Sequence, residues 1–222
     1  MRFDRETPSK PTGASVLAMS GPALAPFPTE LRVGVPDWLR DEQAAVPERL
    51  PTRAERFVLV TALASRNVEE GTGGPFAATV VDEETGEVIS IGVNLVLHSN
   101  VSSMHAEVVT LGLAHARTGS WNLGRDVGRR RVLVVNAQPC VMCLGALLWS
   151  GVSAVEYAAD CATVERITGF DEGPVPEDWR EQLVARGIAV HQEHGVGAEA
   201  ALHRFRELVD AGTTARYNGD GA

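Results

Sequence analysis

The chain is organised around the stretches SMHAE, residues 103–107, and NAQPCVMC, residues 136–143. Between them they supply one histidine and two cysteines, at His105, Cys140 and Cys143. Three such ligands hold a tetrahedral zinc ion and leave its fourth position open to water, which is typical of catalytic sites, whereas structural sites are closed by four protein ligands. The sequence therefore predicts one zinc ion, Zn2+, bound by these three side chains.

The spacing of these residues predicts that each stretch opens a helix. Cys140 and Cys143 are three apart, so they share one face of a helix. Pro139 suits a helix start because its missing N–H has no partner there, and the positive end of the helix dipole favours thiolates. At the opening turn of the other helix, His105 and Glu107 border the same cavity. Glu107 is predicted to be catalytic, taking a proton from the zinc-activated water and delivering it to the substrate.

Two other functions fit parts of this pattern. A C-x-x-C pair alone is also typical of reduced cysteines without a metal, or of a redox pair. The proline, the upstream His-x-Glu and the two helix starts together favour the catalytic zinc. A non-enzymatic zinc-binding module is the remaining alternative, and Glu107 counts against it because a structural site has no use for that carboxylate.

The composition limits the partners and the compartment. The 222 residues are 44% hydrophobic, enough for one domain of ordinary size plus an extension. The net charge is −9, and Lys10 is the only lysine, which counts against nucleic acid as a general partner. Three cysteines, with Cys161 left over from the zinc site, argue for a reducing compartment, and we expect a cytoplasmic protein. No apolar run is long enough to span a membrane.

The chain divides into four predicted parts. Residues 1–28 are expected to be disordered, because eight of the 12 prolines fall at or before Pro51 and no hydrophobic period is visible. The other parts are an N-terminal extension, the zinc-binding domain and a tail, at residues 29–51, 52–217 and 218–222. Within the extension, Trp38 is expected to be a packing anchor.

Strand and helix patterns alternate through the domain. Thr52 and Glu55 form a capping box that opens a helix reaching about Glu70. Strands are predicted over residues 76–81, 88–96, 132–135, 154–157 and 188–192. Further helices are predicted from His105 to Gly119, from Cys140 to Ser150, and over residues 161–167, 176–186 and 198–209.

The connection between the last two strands predicts the topology. About 30 residues with helices separate them, and such a crossover suits parallel neighbours rather than a hairpin. The predicted fold class is therefore α/β: a three-layer αβα domain with a mixed five-stranded sheet, in which strands four and five are parallel.

From about Thr52 to Tyr217 the chain resembles the bacterial guanine deaminases of the cytidine-deaminase-like superfamily. His-x-Glu followed by Pro-Cys-x-x-Cys is the mark of zinc nucleobase deaminases. The narrower marks of the guanine deaminase branch are GGPF at 73–76, Asn94, LGALLW at 144–149, GFDE at 169–172, and the C-terminal aromatic residues Phe205 and Tyr217.

The resemblance implies hydrolysis of guanine to xanthine and ammonia. It implies that Phe76 packs on the base, that Asn94 hydrogen-bonds the ring edge, and that Glu172 is a second catalytic carboxylate handling the amino group. It also implies a homodimer with exchanged C-terminal segments, in which Tyr217 closes the partner's site and Trp149 lines it. Four of these residues also have a plain alternative role. Phe76 could pack in the core, Asn94 could cap a loop, Glu172 could be a turn carboxylate, and Tyr217 could belong to a polar tail.

The chain departs from the pattern of its branch next to the zinc motif. Gln138 stands where Glu is usual, Asn136 where Thr or Ser is usual, and Ala77 where Gly is common. These changes leave open a different substrate: guanosine, a triazine, a pterin or a cytosine-type ring. The adenosine of a tRNA is a further alternative, and the acidic composition counts against it.

Overall fold

A central sheet forms because four of its five strands are largely apolar and buried along their whole length, so they need cover on both faces. In the computed structural model, which describes residues 26–126 and 128–218, the strands are β1 Ala77–Asp82, β2 Val88–Val93, β3 Arg131–Ala137, β4 Ala154–Ala159 and β5 Ala189–Gln192. Their spatial order is β2-β1-β3-β4-β5. β1 is antiparallel to β2 and β3, whereas β3, β4 and β5 are parallel. The predicted mixed five-stranded sheet with parallel fourth and fifth strands is confirmed.

Helices cover both faces of this sheet. The helices of the described residues are α1 Asp37–Ala45, α2 Arg53–Glu69, α3 Val96–Ser99, α4 Ala106–Thr118, α5 Val141–Ser150, α6 Cys161–Thr168, α7 Trp179–Val184 and α8 Glu199–Asp210. Alternate residues of β3 enter different core clusters. Val132 and Val134 join the cluster that contains the apolar face of α2, and Leu133 and Val135 join the cluster of α5. This alternation follows from the two-residue period of a strand. No helix in the described ranges is long and apolar enough to cross a membrane.

The chain from Val33 onward forms one compact unit. Trp38 and Leu39 of α1 are buried in the same core cluster as α2, and the guanidinium of Arg66 lies 5.0 Å from the centre of the Trp38 ring. Much of the predicted N-terminal extension therefore contributes to the core. Of the residues predicted to be disordered, 1–25 lie outside the described ranges, and residues 26–32 are exposed with no helix or strand.

Local signals placed most element boundaries within a few residues. The predicted capping box is present: Glu55 N–H donates to Thr52 Oγ1 at 3.3 Å, and Thr52 N–H donates to Glu55 Oε2 at 2.9 Å. Two predictions were too long. The second strand ends at Val93 rather than at residue 96, because the chain turns there into α3. The helix predicted over 176–186 is shorter in the structure, where α7 spans only Trp179–Val184.

Candidate active site

The two stretches that carry the zinc motif meet at one end of the sheet, where β1 begins and β3 ends. The helices α4 and α5 both start there, so two helix N-termini converge on a single pocket. The pocket is lined by Phe76, Asn94, His105, Ala106, Glu107, Ala137, Gln138, Cys140, Glu172, Tyr217 and Asn218. Of the predicted site residues, all but Cys143 and Trp149 therefore line this pocket directly.

Two of the predicted zinc ligands occupy the N-cap positions of the two helices. His105 is the N-cap of α4 and Cys140 the N-cap of α5, and neither side chain caps its helix. N-caps are usually Ser, Thr, Asp or Asn, whose oxygen bonds the helix backbone. Because His105 and Cys140 do not cap their helices, both side chains are free to bind a metal ion. Pro139 lies one residue before the N-cap of α5, so the first helical position belongs to Val141.

The three donor atoms have the spacing of ligands around one zinc ion. His105 Nδ1 lies 3.5 Å from Cys140 Sγ and 3.7 Å from Cys143 Sγ, and all three donors lie within 4.8 Å of one another. Zinc–sulfur and zinc–nitrogen bonds of about 2.3 and 2.0–2.1 Å at tetrahedral angles imply a sulfur–nitrogen distance of about 3.6 Å. The residues present therefore fit a zinc ion with one position left for a non-protein ligand.

The electrostatics of Cys140 suit a metal ligand. The hydrogen bond with Cys143, assisted by the one with His105, lowers the pKa of the Cys140 thiol to about 4, against the opposing effect of burial. A thiol with so low a pKa is a thiolate at neutral pH, and the thiolate is the form that binds metals.

Glu107 lies beside the ligands as the second residue of α4, and only 5% of its surface is exposed. Burial raises the pKa of its carboxyl to about 7, and the nearby Cys140 charge adds to the effect. A carboxyl group with a pKa near neutrality can both take and give a proton at physiological pH.

Glu172 brings a second carboxyl group into the pocket from the loop between α6 and α7. It is 7% exposed, and burial raises its pKa to about 8, with further contributions from the charges of Cys140 and Glu107. The charge of His105 opposes this rise in the pKa without cancelling it. This loop is hydrogen-bonded to the start of α5, since Val141 N–H donates to the Glu172 carbonyl at 3.2 Å.

Asn94 presents one half of its amide to the pocket. Its Oδ1 accepts hydrogen bonds from the N–H groups of Gly74 and Val96, both at 3.2 Å, which fixes the orientation of the amide. Its Nδ2 is buried and has no hydrogen-bond partner among the described residues. A Cβ at Gly73 would lie 2.7 Å from Asn94 Oδ1, so glycine is required for this close approach. The free Nδ2 is a donor positioned for a ligand.

The place of Phe76 is set by Asn136, one of the departures from the pattern of the branch. Asn136 Oδ1 accepts from Ala77 N–H at 2.8 Å, and Asn136 Nδ2 donates to the Pro75 carbonyl at 2.9 Å. These bonds hold the backbone on both sides of Phe76, whose ring centre lies 5.6 Å from that of Phe170. Asn136 is buried and does not line the pocket, so its role is to position Phe76.

Sequence reasoning missed Asn67, which fastens the loop before β1. Its Nδ2 donates to the carbonyls of Gly74 at 2.8 Å and Asn94 at 2.9 Å, and Thr72 donates to its Oδ1. Asn67 lies on α2, far from the motif in sequence, and an isolated asparagine in a helix carries no signal of such a role.

Gln138 lines the pocket and also joins two elements next to it. Its N–H donates to the Ala159 carbonyl at 2.7 Å, and its Oε1 accepts from Cys161 N–H at the start of α6, at 3.3 Å. The neutral amide of Gln138 thus accepts a hydrogen bond that a glutamate, the usual residue at this position, could also accept. Because the amide is neutral, the pocket has one negative charge fewer beside Glu107 and Glu172.

The two residues expected at a dimer interface have different positions. Tyr217 lines the pocket of its own chain, with ring centres 4.8 Å from Phe170 and 6.4 Å from His105, whereas the resemblance implied the partner's pocket. Trp149 lies outside the pocket on the surface of α5 and is 77% exposed. Its place in a partner's site stays a prediction.

Comparisons with known proteins agree with this geometry. Residues 51–159 match the model of the cytidine and deoxycytidylate deaminase zinc-binding region. The guanine deaminase of Bacillus subtilis (strain 168) is 34% identical over 130 residues, 59% of this chain and 78% of the relative. The solved guanine deaminase of Nitrosomonas europaea is 39% identical with a TM-score of 0.73, over 82% of this chain and 97% of that chain. A structure solved in complex with 2,6-diaminopurine is 39% identical with a TM-score of 0.74, over 85% and 97% of the two chains.

The family model, the guanine deaminase relatives and the cluster of His105, Cys140 and Cys143 together show a zinc-dependent hydrolytic deaminase. Within that class, the chain belongs to the guanine deaminase branch of the cytidine and deoxycytidylate deaminase family.

Proposed function

We propose that this protein hydrolyses guanine to xanthine and ammonia. The observation that carries the proposal is the unpaired Asn94 Nδ2 donor, which shares one pocket with the carboxyl groups of Glu107 and Glu172 and with the zinc ligands. A guanine ring offers a carbonyl acceptor and an exocyclic amino donor, which complement these groups. The guanine deaminase relatives support the same substrate.

The residues of the chain would act by holding the base and moving protons. Bound zinc supplies Lewis acidity, which makes water nucleophilic near neutral pH. Glu107 would take one proton from the attacking water and give it to a ring nitrogen of the substrate. It would then pass the remaining hydroxyl proton to the amino group, so that the carbon–nitrogen bond breaks and nitrogen leaves as ammonia. Glu172 accepts a hydrogen bond from the amino group that leaves. His105, Cys140 and Cys143 hold the metal.

Substrate selection would depend on Asn94 and Phe76. A buried donor that pairs with the guanine carbonyl is left unpaired by adenine, and a site of this kind rejects the analogue by about 10⁴-fold. Phe76, which packs near Phe170, supplies a flat apolar wall for a planar ring. We therefore expect the free base to be preferred to a nucleoside.

We further propose that the protein is a cytoplasmic homodimer that uses the exposed face of α5. This helix has no charged residue in its ten positions, and Val141 and Trp149 on it are exposed. Exposed apolar surface of this kind is typical of protein contacts. In such a dimer, Trp149 would lie at the contact between the copies, while Tyr217 closes the pocket of its own chain. Cross-linking between copies of a Trp149→Cys variant tests this arrangement.

A substrate panel tests the function. Ammonia release is measured with zinc-loaded protein on guanine, guanosine, adenine, cytidine, a pterin, a triazine and a tRNA. We expect guanine to give the highest kcat/KM. Release from adenine, cytidine or tRNA with guanine left intact would contradict the proposal. Faster turnover of guanosine would retain the chemistry and refute the preference for the free base.

A further inference from the structure

Three of the residues that line the pocket each carry a buried polar atom without a hydrogen-bond partner in the described part of the chain. Among the described residues, seven buried side-chain nitrogen or oxygen atoms have no hydrogen-bond partner, and three of them belong to pocket residues: Asn94 Nδ2, Tyr217 Oη and Asn218 Oδ1. A buried polar group without a partner is costly, so most such groups in proteins are paired. This concentration indicates groups that a ligand satisfies.

Asn218 and Tyr217 are the members of this set that neither the motif nor the proposed mechanism uses, and Asn218 is the one whose free atom can only accept a hydrogen bond. Its Nδ2 donates to the carbonyl of Asp171 at 3.0 Å, in the same loop as Glu172. Because a carbonyl only accepts, this bond identifies the nitrogen of the amide and leaves Oδ1 as the free atom. Asn218 therefore places a fixed, neutral acceptor in the pocket.

The chemistry of the neighbouring groups narrows what this acceptor can bind. The carboxyl groups of Glu107 and Glu172 serve the amino group that leaves, and Asn94 Nδ2 is a donor for the carbonyl. The remaining donors of a guanine ring are its ring N–H groups. Asn218 Oδ1 and Tyr217 Oη are the two unassigned polar atoms, and of these only the amide oxygen is an acceptor with no proton of its own. We propose that Asn218 determines specificity by accepting a hydrogen bond from a ring N–H of the substrate, an inference that rests on the proposed function.

The test compares two variants on a set of methylated bases. Asn218→Ala removes the acceptor and the bond to Asp171, whereas Asn218→Asp keeps an acceptor, loses that bond and adds a carboxyl group. kcat/KM is measured on guanine and on its 1-, 7- and 9-methyl derivatives, each of which lacks one ring N–H. Zinc content and circular dichroism confirm that both variants are folded and loaded.

We expect Asn218→Ala to lower kcat/KM for guanine by about 10–100-fold, the range for a lost buried hydrogen bond. For the one derivative that lacks the contacted N–H, the same variant should change kcat/KM by less than about threefold, and Asn218→Asp should keep the preference for guanine over that derivative. An Asn218→Ala variant within about twofold of wild type on guanine would overturn the proposal. An equal loss on all four bases would also overturn it, because it would make Asn218 only an anchor of the tail.

Failure of the proposed function is distinguishable from failure of this inference. If the wild-type protein leaves guanine intact, the function is refuted, and the same two variants are compared on the ring that the substrate panel identifies and its methylated derivatives. Selective loss there would support Asn218 as the acceptor, and uniform loss or none would overturn it.

Discussion

Buried carboxyl groups at the two ends of the sheet have opposite surroundings. At the end far from the pocket, Asp82 accepts from Arg131 at 2.7 Å, from Arg129 at 3.4 Å and from Thr85 N–H at 2.9 Å. Burial acts to raise the pKa of Asp82, but these hydrogen bonds and charges lower it below its usual value. At the pocket end, burial and negative neighbours raise the pKa of Glu172 to about 8.

The opposite pKa shifts of Asp82 and Glu172 indicate that one end of the sheet serves stability and the other serves the reaction. A carboxylate paired with arginine contributes to folding, whereas a buried carboxyl group among negative neighbours costs free energy and is retained because its proton is useful. Sites that break the rules of stable folding in this way are expected to be functional. If the two ends of the sheet divide these tasks, substitutions at the pocket end should mainly lower activity and those at the far end should mainly lower stability.

The largest expected effect is loss of the metal at the pocket end. Cys143→Ser should bind little zinc and lose deamination. The variant should also lose the stability that zinc contributes, about 2.7 kcal/mol when free zinc is 100 times its Kd. Metal analysis and urea unfolding at fixed free zinc measure both. Cys161→Ser is the control, since Cys161 is not among the three clustered donors, and it should keep its zinc. Full zinc content in Cys143→Ser would refute the ligand assignment.

A methyl group next to Asn94 should give the next largest effect. Gly73→Ala would place a Cβ in overlap with the Asn94 carbonyl oxygen and 2.7 Å from Asn94 Oδ1, so the backbone and the amide of Asn94 would both have to shift. We expect kcat/KM for guanine to fall about 10²-fold, as for a misplacement of about 1 Å. Gly112→Ala is the control, because no atom lies within 4 Å of its Cβ in α4. That variant should keep its activity and gain about 0.5–1 kcal/mol of stability. Equal activity of the two variants would count against Asn94.

Replacing a carboxylate by an amide should have opposite effects on stability at the two ends of the sheet. Asp82→Asn leaves the buried Arg131 without its buried charge partner and should lower the free energy of unfolding by about 3 kcal/mol. Glu172→Gln removes the cost of burying or neutralising that carboxyl group and should raise it by about 0.5–2 kcal/mol. Urea unfolding of the zinc-free protein at pH 7 measures both. The matched control for Asp82 is Asp126→Asn, a 67% exposed partner of Arg131, with an expected effect of about 0–1 kcal/mol.

The pH dependence of the Asp82 variant sharpens that comparison. A carboxyl group with a lowered pKa contributes stability above its unfolded-state pKa, about 3.9, and loses it as the pH falls through its folded-state pKa. The free energies of unfolding of wild type and Asp82→Asn should therefore converge in acid below about pH 4. A difference that stays constant as the pH falls through this range would mean that charge is not the cause.

Much of the fold was predictable because its signals are local. The capping box at Thr52, the apolar runs of the strands and the crossover length before β5 each depend on neighbouring residues or on chain length. The metal ligands were predictable for the same reason, since Cys140 and Cys143 share one helical turn and His105 opens another helix.

The rest of the site depends on contacts between distant parts of the chain. Asn67, Asn136 and Asn218 are single polar residues whose roles come from what the fold brings beside them. The end of β2 was misplaced for a related reason: Asn94 bonds the N–H groups of Gly74 and Val96, which redirects an apolar run into a turn. No spacing in the sequence predicts these contacts.

The central claim is that the pocket end performs the chemistry through Glu107. The most direct measurement is the rate of ammonia release from guanine by Glu107→Gln, with its zinc content and fold matched to those of wild type. We predict one zinc per chain and a kcat lower by about 10²–10⁴-fold, because the variant keeps the shape of the side chain but cannot take up a proton. A zinc-loaded Glu107→Gln protein with a kcat within a few-fold of wild type would contradict the account.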